Sequence, residues 1–197
     1  MPDKLIKTAL CLVLFISVFA CSSLGSASAN TPNPADIERE EQAIYSLFLN
    51  PTSKPVLILE ETSTNIGNDN PQETIDYIKS GLENVSNEVI DNYLARNPQR
   101  IKLSPDMNLG VEYILLSSDE LAEISSQPNW GERLTEKYPG SYGYTIFSRV
   151  GFNSTLDQAL IYVGNVAGPL MGSGSYYLME KQNGKWILKD EINVWIS

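Results

Sequence analysis

Glu60 and Glu61 close a short apolar run, "PVLILEETS" (55–63), and Arg149 stands inside another, "GYTIFSRVGF" (143–152). These are the side chains whose type and setting could do chemistry. Paired carboxylates suit general acid–base work or the holding of a hard cation. Neighbours along a strand point to opposite faces, however, so Glu60 and Glu61 do not work as a pair and read first as solvated charges at a strand end. A guanidinium among apolar neighbours must reach an acidic partner, lie at a rim, or receive an anionic ligand. Arg149, Glu60 and Glu61 are therefore candidate binding residues, and no residue is assigned a catalytic role.

Two other stretches invite a chemical reading. "GPLMGSGSYYLMEKQNGKWIL" (168–188) contains G-x-G, but residue 177 is Tyr where a dinucleotide fingerprint needs glycine, and "SYYLMEKQ" reads as a strand where the fingerprint needs a helix. The run is expected to be a turn or bulge where two backbones approach closely. "TNIGNDNPQE" (64–73) offers Asn65, Asn68, Asp69, Asn70 and Glu73 as oxygen ligands but lacks the spacing of a calcium loop, so neither a metal nor a cofactor is expected. Trp186 and Trp195 read as core residues.

Composition excludes more than it suggests. The 197 residues include no histidine and two cysteines, Cys11 and Cys21, both near the start. Histidine-based triads, histidine metal sites and thiolate clusters are thereby unavailable to this chain. A net charge of −10 and the lack of a basic cluster argue against nucleic acid as a partner.

The first residues read as an address. Lys4 and Lys7 precede an uncharged apolar run and then small residues, the layout of a secretory signal peptide. Two cleavage points are open: before Cys21, where "VFAC" resembles a lipobox whose cysteine is lipidated, and before Asn30, after "ASA". Lipidation at Cys21 is the preferred reading, with 1–20 as the leader; otherwise 1–29 is removed. Either predicts an extracytoplasmic protein of the cell envelope. No later stretch approaches the ~20 apolar residues of a span, so membrane contact is expected only through lipid at Cys21.

After a polar lead-in (30–36), residues 37–197 suit one domain. Asn33 and Pro34 mark a helix start for "ADIEREEQAIYSLFLN", whose Ile37, Ile44, Leu47 and Phe48 fall near one face. Helices are also expected over "PQETIDYIKSGL", "NVSNEVIDNYLARN", a short segment opened by the Ser117/Glu120 capping box, and "NWGERLTEKYPG". "PVLILEETS" and "VEYILL" read as strands. From Tyr142 onward five strands are expected: "GYTIFSRVGF", "QALIYVGNV", "SYYLMEKQ", "KWILKD" and "INVWIS". Residues 167–174 are read as a connection and Asn183-Gly184 as a tight hairpin turn. The predicted class is α+β: N-terminal helices packed on a curved antiparallel C-terminal β-sheet, one face covered by helices and the other partly enclosed.

Ser148-Arg149 with Gly151-Phe152-Asn153, Ala159-Leu160, Gly172 and Gly174, Gly184-x-Trp186 and Trp195-Ile196-Ser197 resemble a set of uncharacterised bacterial exported proteins and lipoproteins. The resemblance implies no activity and transfers no functional residue. The order of elements is also loosely similar to cystatin and nuclear-transport-factor-like folds, which host binders and enzymes alike. The leading expectation is an exported binding or interaction module whose partner is an unknown envelope component or protein. The alternative is a carboxylate-dependent hydrolase acting on an envelope polymer from a concave sheet pocket. A third is pairing of an edge strand with a partner protein.

Overall fold

The computed structural model describes residues 32–52, 54–64 and 70–197. The leader, Cys21, and the oxygen-bearing Asn65, Asn68 and Asp69 lie outside the described residues. Among the described residues five helices and seven strands run in the order α1 (Pro34–Leu47), β1 (Val56–Leu59), α2 (Pro71–Gly81), α3 (Asn87–Arg96), β2 (Tyr113–Leu116), α4 (Ser118–Ser125), α5 (Trp130–Lys137), β3 (Tyr144–Phe147), β4 (Gly151–Phe152), β5 (Gln158–Gly168), β6 (Met171–Gln182) and β7 (Lys185–Ile196).

Local chemistry explains the helix starts. The side chains of Asn33, Asn70, Ser86 and Ser117 each accept a hydrogen bond from a backbone N–H in the first turn, and proline opens α1 and α2. Each cap satisfies a donor that the helix itself leaves orphaned.

The strands form one open sheet in the order β2-β1-β3-β5-β6-β7, with β4 paired to β5. From β3 onward it is antiparallel, as the α+β class requires; β1, by contrast, runs parallel to both neighbours, β2 and β3. Parallel partners need long crossovers, and the helices α2–α3 and α4–α5 occupy them.

Helices cover both faces rather than one. Val56, Ile58, Phe147, Ala159, Ile161 and Val163 pack with Ile44 and Tyr45 of α1. The alternate residues Leu160, Tyr162, Tyr176 and Leu178 pack with α2 and α3, and Leu57 packs with Ile124 of α4 and Leu134 of α5. Apolar residues at both parities of β1 and β5 demand this, since each face must be withdrawn from water.

Three boundaries differ from expectation. "GYTIFSRVGF" is two strands, because residues 149 and 150 leave the ladder between β3 and β4. "KWILKD" and "INVWIS" are one strand, β7, whose expected break is absorbed by a register shift opposite Leu178/Met179. The glycine run is no long connection: Gly168 pairs with Met171, so Pro169 and Leu170 alone turn the chain, after an irregularity between Val166 and Gly168. "MGSG" lies within β6, where a side chain at Gly174 would collide with Tyr162 Oη and the Trp195 indole. Those two groups are hydrogen-bonded to each other at 2.8 Å. The second hairpin matches expectation, with Asn183 and Gly184 both at positive φ (51° and 77°).

Candidate functional site: an arginine-floored cleft beside α1

The departure of residues 149 and 150 from the ladder is what places Arg149. Ser148 stays tied to β5, its N–H donating to Tyr162 O at 3.0 Å and its Oγ accepting from Tyr162 N–H at 2.9 Å. The next peptide turns toward the end of α3, where buried Asn97 accepts from Arg149 N–H at 2.8 Å and donates to Arg149 O at 3.0 Å. Asn97 also donates to Tyr93 O, so one amide joins the helix end to the strand break.

The guanidinium then meets a carboxylate. Arg149 Nε donates to both oxygens of Glu41, at 2.8 and 3.0 Å. Arg96 Nη2 reaches Glu41 Oε1 at 3.1 Å, and the Val150 N–H donates to the same oxygen at 2.8 Å. Glu41 sits on the buried stripe of α1 with Ile37, Ile44 and Tyr45, and only 6% of it is exposed. Tyr45 stacks on Phe147 and donates its hydroxyl to Ser148 O at 2.9 Å, fixing α1 over the strand break.

Arg96, Glu41 and Arg149 line a cleft of about 360 Å³ between α1 and the segment 101–107. Its remaining walls are largely apolar, with Ile37, Ile101, Leu103 and Met107; Lys102 and Glu38 also line it. Burial draws the Arg96 guanidinium below its ordinary value, and repulsion from Arg149 acts the same way, against the attraction of Glu41. For Arg149, burial is outweighed by the hydrogen bonds and charge of Glu41, and its value rises. Both stay cationic at neutral pH, as arginine does. Arg96 Nε is buried without a hydrogen-bond partner among the described residues, while its guanidinium lies 6.0 Å from the Phe152 ring centre. Two guanidiniums thus share one buried carboxylate, with exposed Glu38 adding a weaker attraction on Arg149 from the solvent side.

Of the residues singled out from sequence, Arg149 lies in this cleft and Glu60 and Glu61 do not line it. Glu60 pairs with Lys102 at 3.0 Å and so meets the cleft only through that rim lysine. Glu61 accepts from Ser118 Oγ at 3.2 Å, at the start of α4. The two carboxylates point apart, as adjacent strand residues must. Trp186 is core, its indole donating to Glu40 at 2.7 Å; Trp195 is partly buried.

Sequence reasoning missed Glu41, Arg96 and Asn97. Glu41 was legible in part: it falls four residues after Ile37 and four before Tyr45, so a carboxylate stood on the apolar stripe of a helix. Arg96 looked like an ordinary cation in the last turn of a helix, and Asn97 like its terminator, with no signal that either faced a strand break 52 residues on.

Against protein-family models, curated proteins and solved structures alike, the chain shows no match. Among the described residues no helix is long and apolar enough to cross a membrane, and no group of three or more metal-ligating side chains occurs.

Proposed function

We propose that this protein is an exported binding module of the cell envelope that captures a small ligand through an anionic group in the cleft beside α1. The observation that carries the reading is the pair Arg96 and Arg149 on one buried carboxylate, with apolar walls above them. Two arginines on one buried carboxylate leave guanidinium N–H groups to spare, and their hydrogen bonds to a ligand anion would be of the strong, charge-assisted kind.

A binder is favoured over a hydrolase by the state of the carboxylates. Glu41 receives donors from Arg149, Arg96 and Val150, which leaves it committed to holding the arginines rather than to moving protons. Glu60 and Glu61 are engaged by Lys102 and Ser118. Edge pairing has less support. β7 does border the sheet, but it carries two register shifts and Lys185 and Lys189, and Tyr77 donates its hydroxyl to Asn193 O. Bulges and lysines are the usual guards of an edge.

The test is a thermal-denaturation screen against carboxylates, phosphates and neutral sugars at low and moderate salt. A cleft ligand at about 100 times its Kd adds about 2.7 kcal/mol, or about 5–11 °C in Tm for a domain of this size. Anions alone should give such shifts, and salt should reduce them. A panel in which no anion stabilises the protein refutes the proposal.

A further inference from the structure

The cleft's charge count and volume point to a particular ligand chemistry, and this step rests on the binding reading above. We infer that the cleft takes a medium-chain monocarboxylate, its head on Arg96 and Arg149 and its chain along Ile37, Ile101, Leu103 and Met107. Three observations converge on this class.

The first is charge. Two guanidiniums share one buried Glu41, and Lys102 is already paired with Glu60. Exposed Glu38 also attracts Arg149, but from the solvent side where water screens it, so the buried part of the cleft has room for one negative charge at most. Exposed Glu38 stands on the same wall and repels a second. A phosphate monoester carries about −1.5 to −2 near neutral pH and is therefore a poorer fit than a carboxylate.

The second is the fork. Arg149 binds Glu41 through Nε alone, and none of its terminal nitrogens has a partner among the described residues. Planar N–H groups arranged in this way suit a planar carboxylate.

The third is volume. A cavity of about 150 Å³ takes a benzene ring of six carbon atoms, so by proportion about 360 Å³ takes about fourteen non-hydrogen atoms. That is the size of an alkanoate of about twelve carbons. The walls it would meet are aliphatic, and burying them against a chain is favourable in proportion to the area covered.

Methionine reports on the cleft directly. Met107 lines it, Met179 lies in the core between β6 and its neighbours, and Met171 is exposed at the β5–β6 turn. The experiment titrates methyl-13C-methionine-labelled protein with octanoate, decanoate and dodecanoate below their micellar concentrations, and with decanol and decyl phosphate. The Met107 methyl signal is expected to move while those of Met171 and Met179 stay. Affinity should rise about fourfold per added methylene and level off near twelve carbons. Decanol should bind at least tenfold more weakly than decanoate, and decyl phosphate more weakly at pH 8. Glu38→Gln, a change at an exposed side chain that leaves the fold intact, should narrow the gap between phosphate and carboxylate.

Decanol binding as well as decanoate, decyl phosphate binding more tightly, or affinity independent of chain length would each overturn the monocarboxylate inference. The proposed function survives the last two results, in which an anion still moves Met107, whereas decanol binding as well as decanoate counts against both, because no anionic group would then be needed. A silent Met107 with all these amphiphiles, alongside an anion that stabilises the protein in the thermal screen, overturns the inference alone. Silence in both experiments overturns the inference and the proposed function together.

Discussion

Replacing Glu41 with alanine tests the cleft's foundation. The change removes the acceptor of the Val150 N–H, a buried donor whose loss costs about 1–2 kcal/mol. It also leaves Arg96 and Arg149 facing each other without their carboxylate. Removing one partner from a fully buried ion pair costs about 3–5 kcal/mol. Here the Arg96 and Arg149 side chains are 17% and 28% exposed, so water reaches them and about 2–3 kcal/mol is the better figure. The expected total for Glu41→Ala is about 3–5 kcal/mol, a fall in Tm of about 6–20 °C. Glu41→Gln keeps an oxygen for Val150 and should cost only the charge part, about 2–3 kcal/mol. The triple variant Glu41→Gln/Arg96→Met/Arg149→Met removes every charge of the cluster at once. It should return to within about 2 kcal/mol of the wild type while losing anion binding, because no charge is left orphaned. Urea titration followed by circular dichroism measures all three, urea being uncharged and so not screening the pairs. A cost below about 1 kcal/mol for Glu41→Ala would refute the view that the carboxylate holds the arginines. A triple variant as unstable as the alanine variant would show that the loss comes from packing rather than from unpaired charge.

Asn97→Ala should cost about 1–3 kcal/mol, because it strips partners from the N–H and C=O of Arg149, and it should also weaken anion binding by misplacing that residue; urea midpoints and ligand titration read the two effects. Gly174→Ala forces apart Tyr162 and Trp195 and should cost about 1–3 kcal/mol, with a changed tryptophan emission spectrum as the local marker. Glu40 is pushed up by burial but more strongly down by hydrogen bonds from Lys181 and the Trp186 indole, so its folded value lies below the ordinary one. The stability it contributes is therefore present above about pH 4.5 and lost as pH falls through the folded value; Glu40→Gln should lower the urea midpoint at pH 7 and flatten its acid decline. Tyr138, raised to about 12 by burial and by its hydrogen bond to Glu120, contributes stability that is intact below pH 10 and lost as pH rises toward 12. Tyr138→Phe should reduce that alkaline loss in the same titration.

The features legible in the sequence were local ones. Helix starts were readable because Asn33 and Ser117 act within three residues of themselves, and the Asn183-Gly184 turn because positive φ at two successive positions has few residue solutions. Apolar residues at both parities of β5 already required cover on two faces, and the class of fold followed. The absence of histidine bounded the chemistry from composition alone. Tertiary structure decided the rest. The parallel placement of β1 between β2 and β3 depends on which strands meet after long crossovers, a choice that no short window encodes. The same holds for the cleft. Arg149 announced that it needed a partner, but Glu41 lies 108 residues away and Arg96 and Asn97 about half that distance. Their meeting results from α1 and α3 packing at the one place where the strand leaves its ladder, and burial there turns three ordinary side chains into a shared charge.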